Sequence, residues 1–271
     1  MHSIDWPALA QCVFGAMFFG IAIYHVVAGF YHVKYYTLRK GETQEWKCQP
    51  KRHLSTPQHR NAMLAGTLNL ALGGFVTGLL IYAITKGLIT TPIYTNVADY
   101  GWTYTLLSTA ALFVIIDGAA YYVHRALHFK FLYRRVHHYH HTFVATSPYV
   151  ATALHPVELL WLQAASLLPV FIFPFHAVSI AVVLVYILVF NIIDHSGVRL
   201  VSRIPWQGPS TYHDDHHAYF HVNFGQHLMI WDRMHGTLRR QRRTYGKDVF
   251  GGRGLPEETA AAQTLPPFVQ Y

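Results

Sequence analysis

Residues 102–128 read WTYTLLSTAALFVIIDGAAYYVHRALH. From Trp102 to Val123 the run carries a single charge, Asp117, and it is long enough to cross a bilayer core of about 30 Å, which takes roughly 20 helical residues. It ends directly on His124 and His128. Residues four apart share a helix face, so a membrane helix here delivers two imidazoles side by side at its end. The combination predicts an all-α integral membrane protein with histidine chemistry at the membrane edge.

Outward from this stretch, apolar runs of similar length extend from Ala8 to Val33 and from Leu64 to Leu88. Two shorter runs, Val157 to Phe173 and Ala177 to Ile193, are separated by Pro174, Phe175 and His176 and read as a tight helical hairpin. About four transmembrane helices result, as three spans plus the hairpin. The first run is too long for a cleaved leader and reads as a retained anchor. Lys and Arg collect on the cytoplasmic side of membrane proteins. Seven lie between the first two runs, four between Arg125 and Arg135 and nine from Arg199 onward, whereas the loop after the second run holds only Lys86. An outside N-terminus therefore puts nearly all the basic residues in the cytoplasm, together with every dense histidine cluster. No repeat or linker interrupts the chain, which reads as one domain over 1–271, with a loosely structured tail around Gly251, Gly252, Gly254, Pro256, Pro266 and Pro267.

Composition supports the membrane class. The chain is 52% hydrophobic and only 13% charged, with a mean hydropathy of +0.20, too little polar surface for an ordinary soluble domain. The cysteines, Cys12 and Cys48, exclude a disulfide framework or a cysteine metal site. Histidine is the outlier, with 20 residues against 13 acidic ones.

These histidines are clustered. After His124 and His128 come His137, His140 and His141, and later His213, His216 and His217. Eight imidazoles exceed the needs of one tetrahedral site and suit two metals with positions left open. Asn191 and His195 form a fourth element at the end of the hairpin, Asn191 as a direct or water-mediated ligand and His195 as a ninth imidazole. His155, entering the hairpin, is a further candidate. Asp194, Asp214 and Asp215 are expected to accept hydrogen bonds from ligand imidazoles, while Asp117 either orients an imidazole, anchors substrate or pairs with a neighbouring helix. His25, His32, His53, His59, His176 and His235 stand alone and read as packed, hydrogen-bonded residues; His138, His221 and His227 lie between the two cases. A zinc protease is excluded because Arg125 occupies the position of its glutamate base. Ligand type alone does not choose among iron, zinc, copper and nickel, but many nitrogen ligands at a membrane favour redox work on a lipid.

At these residues the chain resembles the fatty acid hydroxylase/sterol desaturase superfamily, whose signature is HxxxH, HxxHH and HxxHH. His124 and His128 match the first motif, His137, His140 and His141 the second, and His213, His216 and His217 the third. The resemblance runs from about Asp117 to Thr237, and Leu154-His-Pro-Val-Glu158, Asp194-His-Ser-Gly197, Asn223-Phe-Gly and Trp231-Asp-Arg-Met-His-Gly-Thr237 look like segments of its sterol-acting branches. It implies two iron ions, O₂ as oxidant and electrons from outside, supplied by NAD(P)H through cytochrome b5 or a similar carrier. No fused carrier domain is evident, and Arg233, Arg239, Arg240, Arg242 and Arg243 offer a basic face for an acidic redox partner or for lipid headgroups.

The expected protein is thus a multi-pass membrane oxidoreductase that hydroxylates or desaturates a lipid, a sterol first and a sphingoid base or fatty acyl chain second. Its histidine-rich metal-binding cap and C-terminus are cytoplasmic, in the endoplasmic reticulum membrane of a eukaryote. Tyr121, Tyr122, Trp161 and Phe190 are candidates to line a substrate tunnel. A metal transporter would instead carry its ligands at the bilayer midplane, and a sterol sensor would have no need of the full histidine set.

Overall fold

The computed structural model describes residues 4–239. Among these the chain is helical, with no strand beyond the isolated bridges Lys47–Val198 and Tyr94–His176. Helix α1 (Trp6–Tyr31) continues through a π-helical turn (His32–Thr37), and is followed by α2 (Thr56–Thr85), α3 (Gly101–Leu127), α4 (Pro156–Leu167), α5 (Ala177–Asp194), α6 (Ser210–Tyr219) and α7 (Ile230–His235). Four of these, α1, α2, α3 and α5, are long and apolar enough to cross a membrane. The protein is an integral membrane protein. Their large exposed residues, Phe14, Phe18, Leu68, Leu107 and Val182 among them, face the lipid.

Helix α2 starts eight residues before its expected boundary at Leu64. The cause is a capping box: the Ser55 side chain accepts from Gln58 N while Gln58 Oε1 accepts from Ser55 N, with Pro57 in the first turn. The start was thus written in hydrogen-bonding residues, which hydropathy does not register. Helix α3 likewise continues past Val123 to Leu127, so that His124 sits on it. The first arm of the hairpin is only α4 and a 3₁₀ turn, Leu168–Phe171, where Pro169 ends regular α-helix. Together they make an apolar helical segment, Pro156–Phe171, that is shorter than the four long helices.

Helices α1 and α2 pack closely because α2 presents Gly74 and Gly78 to α1. A Cβ on Gly74 would come within 2.6 Å of Met17 Cα, and small residues are what allow membrane helices to approach in this way. Two long-range hydrogen-bond sets then tie the bundle to its cap. Asn69, buried on α2, donates to the carbonyls of Thr152 and Leu154 at 2.9 and 2.8 Å, and Tyr24 on α1 donates to Tyr149 O at 2.8 Å.

The two ends of the bundle differ in kind. At one end Lys86 pairs with Asp5 at 2.6 Å and Tyr104 donates to Pro174 O. The other end gathers the segments around 38–55, 128–155 and 195–239, joined by Cys48 N donating to Gly197 O and Gln49 Nε2 to Val144 O. All the clustered histidines lie at this second end. Beneath them, between the helices, is a largely apolar cavity of about 660 Å³ bordered by residues such as Gly20, Leu70, Ile116, Leu159, Leu184 and Leu188. Tyr121, Tyr122, Trp161 and Phe190 do not line it. Tyr121 is buried with its hydroxyl on Thr237 Oγ1, Tyr122 and Trp161 are exposed, and Phe190 stacks on Tyr186 beside a smaller cavity.

Candidate metal centre

Nine histidines converge in two adjoining groups. His124, His128, His137, His141 and His216 form one, and His140, His195, His213 and His217 the other, with ligand nitrogens within 4.8 Å of one another in each. The division does not follow the sequence motifs. It follows helix geometry: His124 with His128, His137 with His141, and His213 with His217 are four apart and stay together. His140 and His216, each one residue before its motif's last histidine, are turned by about 100° and join the opposite group. A π-helical turn at Tyr133–His137 leading into the short helix His138–His141 sets up this splay, and π segments recur at functional sites.

The ring orientations are fixed from behind. The Nδ1–H of His124 donates to Phe224 O at 2.8 Å, that of His216 to Val222 O at 2.7 Å, that of His195 to Asn191 O at 2.8 Å and that of His140 to Ala153 O at 3.3 Å. His137 Nδ1 faces Glu158 Oε1 at 2.8 Å. A carbonyl or carboxylate acceptor holds the proton on Nδ1 and leaves Nε2 with a bare lone pair. Those lone pairs face each other: His124 and His137 Nε2 are 3.2 Å apart, and His140 and His195 Nε2 are 3.3 Å apart. His141 Nε2 lies 3.0 Å from His137 and 3.1 Å from His216, and His213 Nε2 lies 3.0 Å from His195. Lone pairs aimed together repel unless a cation lies between them. Two nitrogens bound at right angles to one ion, each at about 2.1 Å, stand about 3.0 Å apart, so the observed spacings fit metal ligation. Both ring nitrogens of His128 and of His217 are moreover buried without a hydrogen-bond partner, a costly arrangement that a metal ion would relieve at one nitrogen of each ring.

Burial drives these imidazoles toward the neutral, ligating form. Loss of solvent pushes His137 down to about 3 and His195 down to about 4. His128, His140, His141, His213, His216 and His217 are held well below the usual histidine range, first by burial and then by neighbouring imidazoles. The unfolded chain protonates these groups near 6.5 while the folded chain does not. The stability these groups contribute is therefore fully present above about pH 6.5, the unfolded-state value, and is lost progressively as the pH falls below it. Denaturation midpoints measured from pH 7 to pH 4 should show an uptake of several protons on unfolding; a flat profile would contradict the burial of the cluster.

The remaining sequence expectations meet different fates. Asn191 reaches the centre through its backbone carbonyl, while its side chain accepts from Gln226 and donates to Ala151 O at 3.4 Å. His155 caps α4, accepting from Val157 N at 3.2 Å. The ring N–H acceptors are backbone carbonyls and Glu158 rather than the three aspartates. Asp194 accepts from Gln207, Asp214 from Gln49 and Thr146, and Asp215 pairs with Arg239 at 3.0 Å. Asp117 takes no imidazole proton; it accepts from the backbone N–H of His227 and Leu228 and from Trp231 Nε1, the last at 2.8 Å. Gly118 makes room for that indole, since a Cβ there would lie 2.8 Å from Trp231 Cζ2. His25, His176 and His235 are hydrogen-bonded to Thr67, Thr95 O and Trp231 O, and His32 stacks on His59. Arg239 lies over the Tyr219 ring in addition to its ion pair; Arg240, Arg242, Arg243 and the Gly/Pro tail fall outside the described residues.

Glu158 supports the centre without any local sign of it in the sequence. It is 1% exposed and twenty-one residues from the ring it holds, a pairing no local pattern reveals. Orienting carboxylates behind metal-bound imidazoles are typically worth 10- to 100-fold in metal affinity. Glu158→Gln should weaken metal retention by about that factor, measured by competition with a chromophoric chelator; unchanged affinity would assign Glu158 to packing.

Residues 109–237 match the fatty acid hydroxylase family model. The chain is 31% identical over 159 residues to lathosterol oxidase of Mus musculus, covering 57% of this chain and 53% of that protein. It is 33% identical over 144 residues to a Delta(7)-sterol 5(6)-desaturase of Aspergillus fumigatus, 52% of this chain and 42% of that one. A Delta(7)-sterol 5(6)-desaturase of Schizosaccharomyces pombe is 29% identical over 147 residues, 54% and 49% of the two chains. The chain thus spans about half the length of these relatives. No solved structure matches it. The matched segment carries all nine converging histidines, so it is in the histidine-bearing half of the chain that the similarity to fatty acid hydroxylases and sterol desaturases lies.

Proposed function

We propose that this protein is a membrane-bound, O₂-dependent oxidoreductase that hydroxylates or desaturates a lipid, with a sterol as the leading substrate class. The observation that carries the reading is the pair of imidazole groups whose bare Nε2 atoms face one another, at the end of the bundle where Leu154 and Asn191 border a largely apolar cavity. Two iron ions fit these nitrogen sets, the five-histidine group holding one and the four-histidine group the other. When bound, iron supplies the activation of O₂ and the removal of hydrogen from an unactivated carbon. Hydroxylation balances as C–H plus O₂, two electrons and two protons giving C–OH and water; desaturation takes the same inputs, removes two hydrogens and gives two waters. The electrons come from outside, through NAD(P)H and a carrier of the cytochrome b5 type.

The protein's own residues prepare this chemistry. The carbonyls of Phe224, Val222, Asn191 and Ala153 hold four rings with Nε2 forward, and Glu158 holds a fifth. The helices between them exclude water from the cavity and offer an apolar slot to a lipid body. The names of the relatives, lathosterol oxidase and Delta(7)-sterol 5(6)-desaturase, favour a sterol. The distribution of Lys and Arg favours a cytoplasmic histidine end, in a membrane read as endoplasmic reticulum in a eukaryotic cell, and the whole chain reads as one domain.

Lipids extracted from a sterol-producing host expressing this protein, with a His216→Ala strain as control, test the reading by mass spectrometry. A sterol that gains one oxygen or loses two hydrogens only with the intact protein is the expected result. Altered sphingoid bases or fatty acyl chains with unchanged sterols would overturn the substrate, and no altered lipid would overturn the oxidoreductase.

A further inference from the structure

Among mostly apolar neighbours the cavity is bordered by the polar side chains of Asn69, Thr77, Thr152, Gln163 and Ser166, and by a second set, Asp117, Asn191, Gln226 and His227, which holds the acidic group and the imidazole. Three members of the second set are occupied with one another or with the backbone: Asp117 receives three donors, and Gln226 donates to Asn191 Oδ1 at 3.1 Å. His227 differs. It is 1% exposed, and its Nε2 is buried with no hydrogen-bond partner.

The state of that nitrogen is set by a chain of hydrogen bonds on the far side of the ring. Asp194, an acceptor, takes the Gln207 Nε2–H at 3.0 Å, which turns Gln207 Oε1 toward His227. Tyr186 donates to the same Oε1 at 3.0 Å and in turn receives the Trp206 Nε1–H at 3.2 Å. Facing an oxygen, His227 Nδ1 must carry the proton, at 3.0 Å, and Nε2 is then a lone-pair acceptor. A buried acceptor with nothing to accept is unfavourable. In a cavity otherwise built for a lipid body, it is a fixed socket for one O–H.

We infer that His227 is the residue that selects the substrate's hydroxyl, accepting its proton in a hydrogen bond at Nε2 and so fixing which way a hydroxylated lipid lies in the cavity. The inference rests on the lipid-oxidoreductase reading above and adds to it a polarity rule: the site takes a donor, and a ketone or ether at the same position offers none. His227 acts in positioning and has no part in the bond-breaking step.

The test is binding of cholestanol, cholestanone and cholestanol methyl ether to the full-length, metal-loaded protein in lipid nanodiscs. Wild type should bind cholestanol about 10-fold or more tighter than either analogue, as expected for a buried acceptor left unpaired. His227→Asn keeps a donor at the Nδ1 position and removes the Nε2 acceptor; it should bring the three affinities to within about twofold of one another. His227→Gln restores an acceptor near the Nε2 position and should restore the preference. A preference that survives His227→Asn, or that vanishes instead in Gln163→Leu, at a lining amide whose Oε1 is likewise buried without a partner, would overturn the assignment. Equal binding of all three by wild type sinks this inference alone, whereas binding of none sinks the sterol reading and the inference with it.

Discussion

On the proposed reading the unaltered protein is expected to hold two metal ions per chain and each of His216→Ala and His213→Ala one, with a loss of the proposed lipid oxidation by well over about 100-fold, the upper range for merely disturbing a ligand's support. The two substitutions empty different groups: His216 belongs with His124, His128, His137 and His141, and His213 with His140, His195 and His217. Both lie within one turn of α6, so general damage to that helix would affect the two sites alike. His138→Ala is the control. It sits between ligands in sequence yet is exposed and belongs to neither group, and it should retain two ions and full turnover. Elemental analysis of the purified variants decides the matter, and loss of both ions from either single variant would contradict two separable sites.

Asp232→Ala is expected to cost stability by about 1 to 3 kcal/mol for each buried donor left without an acceptor. Asp232 is fully buried. Its carboxylate accepts from Phe224 N at 2.9 Å, Gly225 N at 2.7 Å, Thr237 Oγ1 at 2.5 Å and the Tyr212 hydroxyl. Truncation removes the acceptor that these four donors share. The damage should also reach the metals, because Phe224 turns its carbonyl to His124 and Tyr212 precedes His213. A shift of about 2 to 4 °C in melting temperature per kcal/mol makes the loss easy to see. Asp232→Asn, which keeps the shape and part of the accepting capacity, should fall between. A melting temperature within about 2 °C of wild type for Asp232→Ala would show that this carboxylate does not organise the loop.

Asp232 and Glu158 illustrate where sequence reading stops. Each is one carboxylate whose partners lie on other elements or across a loop, and nothing in spacing distinguishes them from Asp194 or Asp214, which were expected behind the imidazoles and serve other contacts. Asp117 is the complementary case. Its isolation in an apolar run marked it as important, but only the packed structure shows that it receives the segment His227–Trp231 and thereby roofs the cavity.

The sequence by itself determined the membrane class, three long spans plus a helical hairpin, and the nine histidines, because each rests on local quantities: run length against bilayer thickness, and intervals of three and four residues on a helix. That the second arm of the hairpin is long and apolar enough to cross by itself came from the structure. It also determined which histidines remain paired, since four residues bring side chains back to one face. Only the tertiary structure decided that His140 and His216 exchange groups, that carbonyls hold the rings with Nε2 forward, and that His227 is left as a bare acceptor above the lipid slot. Those outcomes depend on which backbone oxygens and which helices meet after folding, and hydrogen-bond partners separated by up to a hundred residues leave no periodic trace in the chain.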